Sequence, residues 1–189
     1  MGVLEDILDR IRGIFGIGIK TKFVQYKHVG DCKKPCLDCP ERHLRIYENN
    51  NKKPKVGLFN HPFCDCTYGM VREQVVGNIS NRGIYAPDVY LKAYGKLPDY
   101  YITKREAVEK YGWNSSRNNL SSKAPGKMIG GDVFNNDKRI LPEKEGRIWY
   151  ECDVDYEGGA RNSKRLYYSN DGLMFCSKFH DEKNVIFIY

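Results

Sequence analysis

Gly146-Arg-Ile-Trp-Tyr-Glu-Cys-Asp-Val-Asp-Tyr156 is the stretch on which the fold turns. Its side chains alternate with a period of two, the repeat of a β-strand. Ile148, Tyr150, Cys152, Val154 and Tyr156 fall on one face, and Trp149, Glu151, Asp153 and Asp155 on the other. An apolar face and an acidic face predict a strand with one side on a core and one side open. Downstream, Arg165 to Ser169 and Leu173 to Ser177 flank Asn170-Asp-Gly172, a strong hairpin signal. Val185 to Tyr189 reads as a last strand.

Upstream the period changes. Ala86 to Tyr94 reads as a short helix with Pro87 in its first turn and Gly95 as its stop. Thr103 caps a second helix, Lys104 to Tyr111, with Glu106 in the Glu position of a capping box and Gly112 at its end. Helices followed by a meander give an α+β order. Three segments emerge along the chain: 1–18, 19–85 and 86–189. Val3, Leu4, Ile7, Leu8, Ile11, Ile14 and Phe15 recur at helical spacing, which predicts an amphipathic helix in the first segment. The middle segment holds five of the seven cysteines and the polar run Asn49-Asn-Asn-Lys-Lys-Pro54.

Leu97-Pro-Asp-Tyr-Tyr-Ile-Thr-Lys-Arg-Glu-Ala107, Ala124-Pro-Gly-Lys-Met-Ile-Gly-Gly-Asp132, Gly146-Arg-Ile-Trp-Tyr-Glu151, Arg161-Asn-Ser-Lys-Arg165 and His180 occur in one order over roughly the last hundred residues. In these motifs the segment 86–189 resembles the barnase-like family of small microbial guanyl-specific ribonucleases. The resemblance implies helices packed on a four- to five-stranded antiparallel sheet. It implies an endoribonuclease that needs no cofactor for catalysis. Residue by residue, Glu151 takes the family's general-base role and His180 its general-acid role. Arg161, Arg165 and Lys104 take the roles of phosphate-binding cations, and Asp132 that of the buried carboxylate holding them in place.

These are the groups that RNA transesterification requires: a base for the 2′-hydroxyl, an acid for the departing 5′-oxygen, and cations for the phosphorane. The base-recognition loop departs from the family. Where the family carries Ser-Asn-Arg-Glu after a Phe, this chain has Phe134-Asn135-Asn136-Asp137-Lys138. A lysine cannot accept hydrogen bonds from guanine N1 and N2, although it can donate to O6, and Asp137 could accept if the loop shifts. Phe134, Asn135, Asn136 and Lys138 are the candidate base contacts, and the expectation is a relaxed or altered base choice.

In the middle segment Cys32, Cys36, Cys39, His61, Cys64 and Cys66 crowd into 35 residues. Four sulfur or nitrogen donors among them suit a closed, structural tetrahedral zinc site. His61-Pro-Phe-Cys-Asp-Cys66, preceded by Cys36-x-x-Cys39, also resembles the cysteine-containing end of phage head-morphogenesis proteins, an element that precedes toxin domains in bacterial genomes. Cys152 and Cys176 read as small buried apolar residues.

The chain carries 31 basic and 24 acidic residues, a net charge of +7 that favours a polyanionic partner. No stretch approaches the ~20 apolar residues of a membrane span, and the acids of Met1-Gly-Val-Leu-Glu-Asp-Ile-Leu-Asp-Arg10 stand where a secretory signal carries basic residues. Two functions follow. One is a metal-independent ribonuclease that leaves 2′,3′-cyclic phosphates, a bacterial or prophage toxin acting in the cytoplasm, delivered without a classical signal and restrained by a small acidic barstar-like inhibitor. The other is a phage structural or nucleic-acid-binding protein that uses the same basic cleft without cutting. Glu151 argues for the first, because a carboxylate repels phosphate and is a liability in a pure binder.

Overall fold

The computed structural model describes residues 21–28, 41–50, 52–56, 66–117, 119–179 and 184–189. The expected helix over 1–18 lies outside them. The chain divides into two compact units, Met1–Arg72 with Asn136–Lys144, and Glu73–Asn135 with Glu145–Tyr189. This differs from a boundary at residue 86 in two places. Residues 73–85 join the C-terminal unit, where Ile79 is buried in its core. Residues 136–144 leave that unit for the N-terminal one.

In the N-terminal unit β1 (Phe23–Lys27) lies between β2 (Ile46–Glu48) and β3 (Thr67–Met70), antiparallel to both. Val24, Tyr26, Val56, Cys66 and Tyr68 form its core. The returning segment is fastened here by Ile46 N–H, which donates to Ile140 O at 2.7 Å.

In the C-terminal unit the five strands β6 (Met128–Phe134), β7 (Trp149–Asp153), β8 (Arg165–Ser169), β9 (Met174–Ser177) and β10 (Val185–Ile188) form the expected antiparallel meander. Two short strands widen it to seven. β4 (Arg72–Gln74) adds to the β10 edge, and β5 (Tyr101–Ile102) pairs parallel with β6. Neither is long enough to announce itself by alternation.

Helix α1 (Pro87–Tyr94) starts at its proline and stops at Gly95, whose φ of 68° is the left-handed cap that glycine accepts without strain. Its Leu91 packs against the buried cluster that Cys152, Val154, Leu166, Met174 and Cys176 of the sheet belong to. Helix α2 (Lys104–Tyr111) has Thr103 as N-cap, accepting from Glu106 N–H at 3.1 Å. The second half of the expected capping box is replaced, since the Glu106 carboxylate accepts from Lys110 instead. Ala107 of α2 and Leu120 of the short helix α3 (Leu120–Lys123) close a second cluster with Trp113, Met128, Ile129 and Tyr156.

The two faces of β7 are less distinct than alternation predicts. Trp149 is 4% exposed on the face assigned to solvent, while Ile148 is 44% exposed. The end of that face is covered by aromatic packing, Trp149 against Phe175 and Phe175 against Phe187. Only its middle, from Glu151 onward, is left to charged groups.

Candidate active site

The site grows from one irregularity in β6. Gly130 pairs with Cys152, but the next registered pair is Asp132 with Glu151, so the register slips by one residue at Gly131. Such a bulge turns the following side chain to the other face. Gly131 adopts φ +93°, and a Cβ on Gly130 would lie 2.5 Å from Cys152 Cβ and 2.6 Å from Tyr101 Cδ1. The Gly-Gly pair thus lets β6 lie close to β7 and sets Asp132 beside Glu151.

Helix α2 enters this face at its N-terminus. The amide of Lys104 donates to both Asp132 oxygens, at 2.9 and 3.2 Å, while its ammonium reaches Glu151 Oε1 at 2.5 Å. On β8, Tyr167 registers with Glu151 and Arg165 with Asp153. Arg165 is therefore one pair further along the same face than Glu151. Arg161 comes from the preceding loop and meets Asp153 in a two-pronged pair, Nε to Oδ2 and Nη2 to Oδ1, both at 2.7 Å. Arg165 Nε lies 3.1 Å from Asp153 Oδ1.

Asp153 is 1% exposed, and among the described residues its carboxylate is the one paired with both arginines. Asp132, expected to hold Lys104 as well as both arginines, is half-buried and among the described residues is bonded to Lys104 alone, through its backbone amide. The reason is register: Asp153 lies opposite Arg165 across β7 and β8, whereas Asp132 lies one strand further out. Asp153 was missed as a site residue, although alternation had already put it on the face of Glu151.

The electrostatics follow from burial and pairing. Burial lowers the pKa of Arg165, an effect that the Asp153 charge only partly offsets. Burial pulls on Arg161 too, but its hydrogen bonds to Asp153 and the charges of Asp153, Glu151 and Asp132 outweigh it and raise its pKa. Arg161 also lies over the Trp113 ring, 5.8 Å from the centroid. Asn162 O accepts from Arg165 Nη1 at 2.7 Å, so the loop backbone fixes this side chain from behind. The cluster is thus three cations and three carboxylates on one sheet face.

The remaining expected residues are distributed differently. His180 lies outside the described residues. Phe134 packs against Tyr167, ring centroids 4.6 Å apart, in the C-terminal unit, where Asn135 is exposed. Asn136 and Lys138 belong to the N-terminal unit. Asn136 is buried with φ +51°, and its amide is bonded to Leu141 O and N–H at 3.0 and 3.1 Å. It clamps its own loop and offers no amide edge to a base. Lys138 is exposed.

Of the candidate metal ligands, Cys32, Cys36, Cys39, His61 and Cys64 lie outside the described residues. Cys66 is buried and in no disulfide, and His28 Nδ1 lies 3.3 Å from its sulfur. His28 was not among the expected ligands. Among the described residues no group of three or more His, Cys, Asp or Glu side chains is placed to hold a metal ion, and no helix is long and apolar enough to cross a membrane. Cys152 and Cys176 are core thiols as expected, and burial raises the pKa of Cys176 to about 11.

Residues 87–185 match the ribonuclease family. Over 91 residues, 48% of this chain, the sequence is 50% identical to a ribonuclease of Heyndrickxia coagulans, and the match covers 83% of that protein. Ribonucleases of Bacillus intermedius and Bacillus pumilus are equally similar, with 56% of each covered. The chain therefore spans little more than half the length of those two relatives. With more than half of its residues inside the family match, and with the carboxylate, lysine and arginines of that match gathered on one sheet face, this chain belongs to the barnase-like ribonuclease family, and its C-terminal unit is that of an endoribonuclease.

Proposed function

We propose that this protein cleaves single-stranded RNA by metal-independent transesterification. Glu151 takes the proton of a 2′-hydroxyl, the 2′-oxygen bonds to phosphorus, and the bond to the 5′-oxygen breaks. His180 gives the departing oxygen a proton, and a 2′,3′-cyclic phosphate remains. Lys104, Arg161 and Arg165 supply the positive charge that other nucleases take from a divalent ion. The observation that carries this reading is the Lys104–Glu151 ion pair, 2.5 Å long and beside two arginines already anchored on Asp153. Phosphate entering there meets cations that need no reorganisation. The test is labelled RNA incubated in EDTA with the parent and with Glu151→Ala. Cyclic-phosphate ends from the parent and intact RNA from the variant are expected. Cleavage that EDTA abolishes, or that survives in Glu151→Ala, refutes the reading.

As its biological setting we propose a bacterial or prophage toxin acting on cytoplasmic RNA, on the likeness of the cysteine-rich segment to phage head-morphogenesis proteins, and, on the ribonuclease likeness, a small acidic barstar-like inhibitor whose carboxylates cover the cations. We also propose a structural zinc in the N-terminal unit. Ligands at Zn–S and Zn–N lengths of about 2.3 and 2.0 Å stand about 3.5 Å apart around a tetrahedral ion. The 3.3 Å between Cys66 and His28 fits that edge. His28 thus joins Cys32, Cys36, Cys39, Cys64 and His61 as a candidate, and metal analysis of the purified protein and of Cys66→Ser measures it.

A further inference from the structure

The N-terminal unit has a groove of about 580 Å³ between β2 with its following turn and the returning segment 136–144. Arg45, Lys52, Lys53, Arg139 and Lys144 line it, against two carboxylates, Glu48 and Glu143. Both carboxylates are already engaged, Glu143 by Arg139 and Glu48 by the Asn50 amide, each at 3.2 Å. We propose that this groove is an accessory binding site for the sugar–phosphate backbone of single-stranded RNA. The proposal takes its ligand class from the endoribonuclease reading and concerns a different unit of the chain.

Three observations support it. Asn50, Lys52 and Lys53, from a polar run that the catalytic reading leaves unused, stand at the rim. Asn50 Oδ1 accepts from Lys52 N–H at 2.9 Å, and Asn50 O accepts from Lys53 Nζ at 3.1 Å. The turn thereby presents two successive lysines on one wall. The other wall belongs to the segment 136–144, so the chain excursion that begins within the family's base-recognition loop is the one that builds the groove. It is held there by the Asn136 clamp on Leu141 and the Ile46–Ile140 bond. Third, Arg45 lines the groove and is partly exposed. The exposed part of its guanidinium can donate to a phosphate oxygen, an acceptor of the right charge. A surplus of cations in a concave polar site favours a flexible polyanion, whose backbone tracks such a groove independently of sequence.

The experiment uses the full chain and the triple variant Lys52→Ala, Arg139→Ala, Lys144→Ala, all three side chains being exposed. Binding is measured in a Glu151→Ala background, with a labelled 20-nucleotide single-stranded RNA at several salt concentrations. The triple variant should bind at least tenfold more weakly, and its log–log salt slope should fall by about 2, at roughly 0.7 for each phosphate no longer neutralised. With Glu151 restored, cleavage of a dinucleotide, whose single phosphate is taken by Lys104, Arg161 and Arg165, should be unchanged. Equal affinity and slope overturn the proposal. So does polyglutamate displacing the RNA as well as RNA itself does, which assigns the groove to an acidic protein. A parent that fails to cleave the dinucleotide, while the triple variant still binds RNA more weakly, refutes the catalytic reading and leaves the groove standing.

Discussion

Replacing Asp153 by asparagine keeps the shape of the side chain and removes the charge that two guanidinium groups share. Arg165 and Arg161 retain 7% and 21% of their side-chain exposure, and the carboxylate 1%. Arg161 has room to turn toward water, but Arg165 is held by Asn162 O and would keep its charge in a dry site with an amide donor facing it. Breaking a buried pair by removing one partner costs about 3–5 kcal/mol, mostly through the charge left behind. Since Arg161 is the freer of the two, about 3–4 kcal/mol is expected, a large part of the ~5–15 kcal/mol that holds a domain folded. At ~4–8 °C per kcal/mol this lowers Tm by at least about 12 °C. Both tryptophans, Trp113 and Trp149, lie in the C-terminal unit, so urea unfolding followed by their fluorescence reports on that unit. The comparison is with Asp132→Asn, which removes a half-buried acceptor from one backbone amide and should cost about 1–2 kcal/mol. A loss below about 1 kcal/mol for Asp153→Asn, the range of solvent-exposed pairs, refutes the reasoning. So does an Asp132→Asn variant that is the less stable of the two.

Gly130→Ala should destabilise the C-terminal unit by about 1–3 kcal/mol, because its Cβ meets Cys152 Cβ and Tyr101 at 2.5 and 2.6 Å. Thermal unfolding measures this, and no change in Tm would mean that β6 and β7 separate freely. Asp155 governs part of the acid stability. Burial raises its pKa, but hydrogen bonds from Lys164, Ser80 and Asn81 and the Lys164 charge outweigh this and lower it below the ordinary 3.8. The unfolded chain therefore binds the proton first on acidification. The stabilisation is complete above the ordinary value and is lost as pH falls through the lower folded-state one. Asp155→Asn should flatten the fall in urea midpoint on acidification below about pH 5, and an unchanged slope would assign that fall to other carboxylates.

Much of the C-terminal unit could be read directly from neighbouring residues. Pro87 and Gly95 bound α1, Thr103 and Gly112 bound α2, and Asn170-Asp-Gly172 turns β8 into β9, because caps and turns act through hydrogen bonds and φ angles within a few residues. Family spacing likewise singled out Glu151, Lys104, Arg161 and Arg165. What could not be read there depends on pairings between distant segments. Alternation put Glu151 and Asp153 on one face but says nothing of what lies across from each. The β7–β8 register made Asp153 the arginine anchor, and the bulge at Gly131 made Asp132 the partner of α2. Trp149 is buried because aromatic rings brought from β9 and β10 exclude water from its end of the sheet. Residues 136–144 have the composition of a surface loop, and a hydrogen bond between Ile140 and Ile46, 94 residues earlier, draws them into the other unit. Local chemistry sets where each element starts and stops. Desolvation and register, both long-range, set which of its side chains carry charge into the site.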